Sequence, residues 1–404
     1  MIAIARWLAT PGAAIAAVTL TMAIRAIAAA AIPAPLESDA LAYFTMARTL
    51  VEDGAMRDAF GQIAFYSPGY PLLLAPAFAL FGASPAVALA INVALGGLGC
   101  WLLIGIGRRL GGPVAGALAG FAFALWLPGA FGATFVHKES LTTALLLAFV
   151  WLVLSLNDAR RPVPWAGLAG TAYGFGVLAG ASSILVGIAA LWAILRLARH
   201  RRTALVAFAG AAALCLVPWL ATTAGQFGKP VLTTNSGFNL YLGNNPAATG
   251  RFVSIADTPM GPRWHDLLAD QGEAVASDTL GAEARGWILA NPAMAAGLAA
   301  TKLGLFWMPN IPDRAEMAGG PAIGAIRIAD VAQHLVIIAL GLWGLWQARR
   351  NDDARTVALV IAAFWIVHAL TYIITRYRDP VMPLMIAFAA IPVAGWLTAK
   401  AKPA

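Results

Sequence analysis

ESDALAYFTMARTLVEDGAMRDAFGQIAFYSPGYPLLLAPAFALF, Glu37 to Phe81, follows the first long apolar run of the chain, and its reading decides what the rest of the chain is. Ala40, Tyr43, Phe44, Ala47, Leu50 and Val51 fall at i, i+3, i+4, i+7, i+10 and i+11, one face of a helix. That helix is well short of the ~20 residues a membrane span requires, so it is expected to lie in the interface plane. Ser38 or Asp39 suits its start and Gly54 the position just past its end. Ser67-Pro68 then reads as the cap and first position of a second short apolar helix, stopped at Gly82. Two short interfacial helices between long apolar runs make this stretch the working end of a membrane scaffold.

Outward from it the chain is 60% hydrophobic and 11% charged, against about a quarter charged in soluble domains. The class is an all-α polytopic membrane protein. Spans are expected at about 13–32, 85–107, 114–131, 140–156, 165–181, 184–197, 205–223, 329–346, 357–374 and 381–397, ten crossings in a single domain over 1–404. Within it lie a first extracytoplasmic loop, 33–84, a large polar extracytoplasmic loop, 224–328, and three last helices in 329–404. With the N-terminus inside, the inner side holds 14 Lys/Arg against 3 Asp/Glu, and the outer side 13 against 16. That is the positive-inside pattern, so the net charge of +8 reports topology and not a nucleic-acid partner. It places the 37–81 stretch on the extracytoplasmic face and both termini in the cytoplasm.

Within the large loop, 235–252 carries turn signals around a short run that suits a strand, and 263–289 suits a surface helix. The run 291–308 contains Lys302; as a span it would invert every later loop, so it is expected along the outer interface. Cys100 and Cys215 sit in apolar runs as small buried thiols, which leaves no disulfide framework and no zinc site.

Three outer clusters carry chemistry. Asp39 stands at the junction of a span and an interfacial helix, where a carboxylate can take a proton from a hydroxyl; capping the helix is the equal alternative. Glu37, two residues earlier, offers a second carboxylate that with Asp39 could share a divalent cation. His137-Lys138-Glu139 opens the fourth span: His137 alone reads as a boundary anchor, whereas Glu139 sits at a helix start facing the side of Asp39. In RYRDP, Arg376 to Pro380, two arginines flank a tyrosine on the outer side, against the topological trend, and their planar forks suit a phosphate. Arg314 and Arg327 are weaker candidates of the same kind. Arg25, near the outer end of the first span, either snorkels or pairs with Glu37, Asp39 or a phosphate. Asn235, Asn239, Tyr241, Asn244 and Asn245 offer groups that read sugar hydroxyls, and turn formation explains the asparagines equally well. Nucleotide-binding and Ser-His-Asp patterns do not occur, so ATP-driven transport and hydrolysis lack their motifs.

In order, SDALAYFTMARTL, YSPGYPLLLAPAFALFG, HKESLTT, NLYLGNNPAATGRF and RYRDPVMPL resemble the bacterial GT-C glycosyltransferases of the dolichyl-phosphate-mannose-protein mannosyltransferase type. The resemblance includes the branch of aminoarabinose and lipopolysaccharide-core sugar transferases. It implies a many-helix enzyme of the bacterial inner membrane that takes a sugar from a polyprenyl-phosphate donor at the extracytoplasmic face and gives it to a lipid or glycan acceptor. On it, Asp39 is the catalytic base and Glu139 the second acidic position; Arg376, Arg378, Lys138 and Arg314 hold the donor phosphate. Glu37, Tyr43, Tyr70, Asn239, Tyr241 and Asn245 line the sugar and acceptor side. No organic cofactor is implied; a divalent cation, if used, falls to Glu37, Asp39 and Glu139. The large inserted lumenal domain and the C-terminal soluble domain of some relatives have no counterpart in this sequence, which disfavours a protein acceptor. A lipid-linked glycan flippase would place charges deep within several spans, whereas here nearly all lie at span ends. A glycan ligase shares the lipid-phosphate chemistry and stays open.

Overall fold

Glycine, proline and short polar turns punctuate the apolar runs, and the helix boundaries follow them. The computed structural model describes residues 2–311 and 321–399. The chain opens with α1 (Ile2–Leu8) and α2 (Pro11–Ala31), joined at Thr10, whose hydroxyl accepts the Ala13 amide at 3.3 Å. α3 (Ser38–Glu52) and α4 (Gly69–Phe81) lie in the expected first outer loop, with Gly82 at φ 83° closing α4. α5 (Pro85–Ala124) is two helices by direction. Gly112, at φ 85°, turns the chain, and the Cys100 thiol reaches the Gly120 carbonyl at 3.6 Å, where a straight helix would hold them ~30 Å apart. Its halves therefore fold back on each other, as expected for 85–107 and 114–131 joined by an arginine-bearing turn.

The next elements are α6 (Leu127–Gly132), α7 (Glu139–Ser155), α8 (Pro162–Ala179), α9 (Gly187–Leu195) and α10 (Arg201–Phe227). The expected outer segment contains α11 (Ser236–Gly243), α12 (Arg263–Ala290) and α13 (Pro292–Trp307); α14 (Pro321–Ala348), α15 (Asp352–Val367) and α16 (Met382–Ala399) follow. By length and apolarity six described helices qualify as spans, the folded-back α5 among them, and seven if the bent pair α12 and α13 counts as one. α4, α7 and the 181–195 stretch are apolar but shorter. α12 and α13 meet at a 109° bend.

Between helices in lipid, close packing replaces the hydrophobic effect as the cohesive term, and small residues permit it. A Cβ on Gly170 of α8 would come within 2.2 Å of the Phe208 carbonyl of α10, and one on Gly344 of α14 within 1.9 Å of the Phe388 carbonyl of α16. These pairs are in backbone contact because neither glycine has a side chain.

Several expectations change. The 235–252 stretch contains a helix and no strand; among the described residues the β pairing is an isolated bridge between Arg251 and Ile373. The Asn245 side chain donates to the carbonyls of Tyr241, at 2.8 Å, and Leu242, at 3.4 Å, which ends α11 as a helix. Ser67 is buried and caps nothing: α4 begins at Gly69, whose missing side chain lets it lie against the backbone of Leu178 and Ala179. In α3 neither Ser38 nor Asp39 makes a side-chain cap. Ala42, Thr45 and Met46 are buried along with Ala40, Tyr43, Phe44 and Ala47 of the expected face, so residues 42–47 are covered on all sides, whereas Val51 at its end is exposed.

The outer segment is stapled to the first loop by Glu273 of α12, which is 9% exposed. Its carboxylate accepts the Ile63 amide at 2.8 Å and the Thr234 hydroxyl at 2.7 Å. Glu273→Ala leaves both donors without their acceptor, a loss of about 1–3 kcal/mol for each buried group left unsatisfied. A lowered thermal midpoint in detergent and faster proteolysis within 57–66 are the expected results; unchanged values of both would show the staple to be dispensable.

Candidate active site

Three segments far apart in sequence meet at one guanidinium. Asp39 lies in the first turn of α3, immediately after Ser38, which holds φ 49°, a left-handed conformation uncommon for serine. His137, Lys138 and Glu139 lead into α7, and Arg376 lies on the 3-10 turn Thr375–Arg378 before α16. Arg376 Nη2 donates to Asp39 Oδ2, its Nη1 donates to His137 Nδ1 at 3.0 Å, and its Nε lies 3.6 Å from Glu139 Oε1. All four side chains are partly exposed, Asp39 at 28% and Arg376 at 34%. The cluster is thus reachable from outside and still sheltered enough for strong electrostatics.

Burial pushes the Asp39 carboxyl upward, but the Arg376 charge and hydrogen bond, with smaller help from His137 and Lys138, outweigh it and hold Asp39 below the usual carboxylate range. The same pair raises Arg376: burial opposes its charge, and Glu139 and Asp39 more than compensate. Burial lowers His137, against the pull of Glu139. Because Arg376 donates to Nδ1, that nitrogen carries no proton, and the imidazole is neutral with its hydrogen on Nε2. Lys138 is lowered by burial, with Glu139 and Asp39 opposing. Tyr66 stands near the site: its phenol is raised chiefly by burial, and the Asp39 charge raises it further.

The remaining sequence candidates fall elsewhere. Arg378 is buried, and its Nη1 donates to the Met308 carbonyl and approaches that of Phe306 at 3.5 Å, capping the C-terminal end of α13. Beside it His334 donates to the Trp307 carbonyl at 2.8 Å. Tyr43 and Tyr70 are core residues, 3% and 0% exposed; Tyr70 donates to Asn92 at 2.9 Å. Tyr241 accepts the Met260 amide at 3.0 Å, and Asn245 is spent on its own turn. Asn239 is half-buried on α11, and Asn235 accepts the Thr233 hydroxyl at 2.9 Å. Glu37 is exposed at the head of α3. Arg25 bonds Gly129, not Glu37 or Asp39. Arg314 lies outside the described residues. As for a cation site, Arg376 holds the place between Asp39 and Glu139, and among the described residues no three His, Cys, Asp or Glu side chains converge as a ligand set.

Lys302 of α13 is a buried pin. It donates to Asn244 Oδ1 at 3.0 Å and to the Ala369 carbonyl at 3.3 Å, and Asn244 in turn donates to the Leu370 carbonyl at 2.7 Å. Together with the Arg251 bridge to Ile373, these bonds fix the strand-like approach to Arg376. The segment around Lys302 therefore positions the guanidinium, and among the described residues none of its side chains is bonded to the cluster.

Residues 66–221 match the family model of the dolichyl-phosphate-mannose-protein mannosyltransferases. Among solved structures, the Archaeoglobus fulgidus oligosaccharyltransferase in its apo form superposes with a TM-score of 0.55 at 14% identity, over 97% of this chain and 52% of its own. The same enzyme, AglB, with an inhibitory peptide and a dolichol-phosphate gives 0.53 at 15% identity, over 96% and 51%. ArnT from Cupriavidus metallidurans bound to undecaprenyl phosphate gives 0.50 at 14% identity, over 92% and 78%. The chain spans about half the length of the archaeal enzyme. No curated protein sequence is significantly similar to it. The fold is the GT-C fold of integral membrane glycosyltransferases.

Proposed function

We propose that this chain moves a sugar from a polyprenyl-phosphate carrier to a hydroxyl of an envelope lipid or glycan at the extracytoplasmic face of a bacterial inner membrane, with inversion at the anomeric carbon. The observation that carries the reading is the convergence of the outer motifs on Arg376, in a chain with a GT-C fold. Asp39 accepts the proton of the acceptor hydroxyl; that oxygen attacks the anomeric carbon, and the bond from this carbon to the phosphate oxygen breaks, its electron pair leaving with the polyprenyl phosphate. Arg376 meets the charge that grows on the departing phosphate, and Lys138 supports it. Glu139 and His137 keep the guanidinium in place when no donor is bound. Arg378 acts at one remove, by anchoring α13 beside the turn that carries Arg376.

In the resting arrangement the base is occupied by the very group that the donor needs. A phosphate entering beside Arg376 competes with Asp39 for its donors, so donor binding frees the carboxylate. Support comes from the two neighbours whose structures hold dolichol-phosphate and undecaprenyl phosphate. Purified protein incubated with a panel of polyprenyl-phosphate sugars, with and without a chelator, is expected to release the lipid phosphate from one of them when a hydroxyl acceptor is present. Carrier movement across vesicles without phosphate release would point to transport and sink the transferase reading.

A further inference from the structure

Arg25 of α2 is 4% exposed, and among the described residues it has no carboxylate partner. Its Nε donates to the Gly129 carbonyl at 3.1 Å, and its guanidinium carbon lies 4.4 Å from the centroid of the Phe123 ring. Among the described residues Nη1 has no hydrogen-bond partner. The slot is built for this side chain: a Cβ on Gly96 would come within 2.5 Å of Arg25 Cδ, and one on Gly129 within 2.8 Å of Nη2. A buried guanidinium with an unused donor and no counter-ion is a group that favours an anion.

The guanidinium lines a crevice of about 40 Å³, bounded by Trp126, Gly132, Glu139, Ser140 and Thr143. That volume takes roughly three water-sized groups, enough for the oxygens of one phosphate and too little for a sugar ring. Two carboxyl groups also face it. Glu139 is engaged by Arg376, and burial pushes Asp379 up to about 8 despite the neighbouring Arg378, so that near neutral pH it is largely protonated. Glu139 thereby joins the crevice to the Asp39 cluster.

We propose that the Arg25 crevice is a second anion site, which holds the phosphate of a membrane lipid beside the reacting centre. The site itself rests on the buried groups; only the lipid's role as a substrate rests on the transferase reading. The phosphate belongs either to the polyprenyl carrier or to the headgroup of an anionic acceptor lipid, and separate probes distinguish them. Purified full-length protein is titrated by native mass spectrometry with a short polyprenyl phosphate and, separately, with phosphatidylglycerol. The variants are Arg25→Gln and Gly132→Phe. Gly132 lines the crevice, and a Cβ there meets nothing within 4 Å, so a bulky side chain is attached without a clash at its root and obstructs the crevice.

Both variants are expected to weaken binding tenfold or more, with thermal midpoints near that of the parent. Loss confined to polyprenyl phosphate assigns the carrier; loss confined to phosphatidylglycerol assigns the acceptor; loss of both marks a phosphate site shared by the two. Should Arg25→Gln fail to fold, Gly132→Phe decides alone. Binding of both probes by Gly132→Phe within twofold of the parent overturns the proposal. Because the readout is binding, a chain that transfers no sugar in any assay would defeat the transferase reading and leave this result standing.

Discussion

Asp39→Asn is expected to reduce sugar transfer by about 10²- to 10⁴-fold, the range for loss of a positioned general base, while the protein remains folded. Asparagine keeps the shape and an oxygen for Arg376 Nη2, so the junction of α3 with the 3-10 turn survives, but its amide cannot accept a proton from the acceptor. Donor binding should change little or tighten, since Arg376 no longer has a charged rival for its fork. The decisive measurement pairs transfer rate with donor affinity in the same preparation. Near-normal transfer would remove Asp39 from the chemistry; loss of transfer together with loss of donor binding would recast it as a positioning residue.

How much of this was legible in the sequence differs by residue, for physical reasons. Asp39, Glu139 and Arg376 stood out because charges at the outer ends of apolar runs are few, and the structure brings these three together. Arg378 carried the same signal and lies elsewhere. Two residues apart on a 3-10 turn of three residues per turn, side chains diverge by about 240°, so the RYR pattern sends its arginines to different neighbours. His137 read as a boundary anchor because a single histidine has no periodic signature, yet it accepts from Arg376. Tyr66 had no signal at all: nothing in FYSPGYP distinguishes it from Tyr70, which is core. Asn235 and Asn245 make local turn bonds and Asn244 belongs to the Lys302 pin, structural uses that composition could not separate from sugar reading. At the level of the fold, the helical membrane class followed from apolarity, and the hairpin of α5 from its arginine-bearing turn. The helix at 236–243 was missed because its eight residues carry turn-forming glycine and asparagine, and tertiary contacts with α12 decide its state.

Arg376→Ala is expected to have the second large effect, and it reports on two roles at once. Without the guanidinium the departing phosphate loses its forked partner, so the donor KM should rise and kcat should fall, together by about 10²- to 10³-fold in kcat/KM, the range seen when one donor to a developing charge is removed. The pH dependence adds a signature that a purely structural role would not give. In the parent, Asp39 is held below the usual carboxylate range, so its basic form persists as pH falls and is lost only when pH passes through that depressed value. In Arg376→Ala burial acts with its main opponent gone, the carboxyl titrates higher, and the acid limb of the residual activity moves to higher pH. Arg376→Lys keeps a charge but not the fork, so it should return the acid limb toward its parental position while leaving donor affinity impaired. An acid limb unmoved in the alanine variant would mean that Asp39 and Arg376 are not coupled in the working enzyme. In that case the donor would bind elsewhere, and the base would be governed by His137 and Lys138 instead.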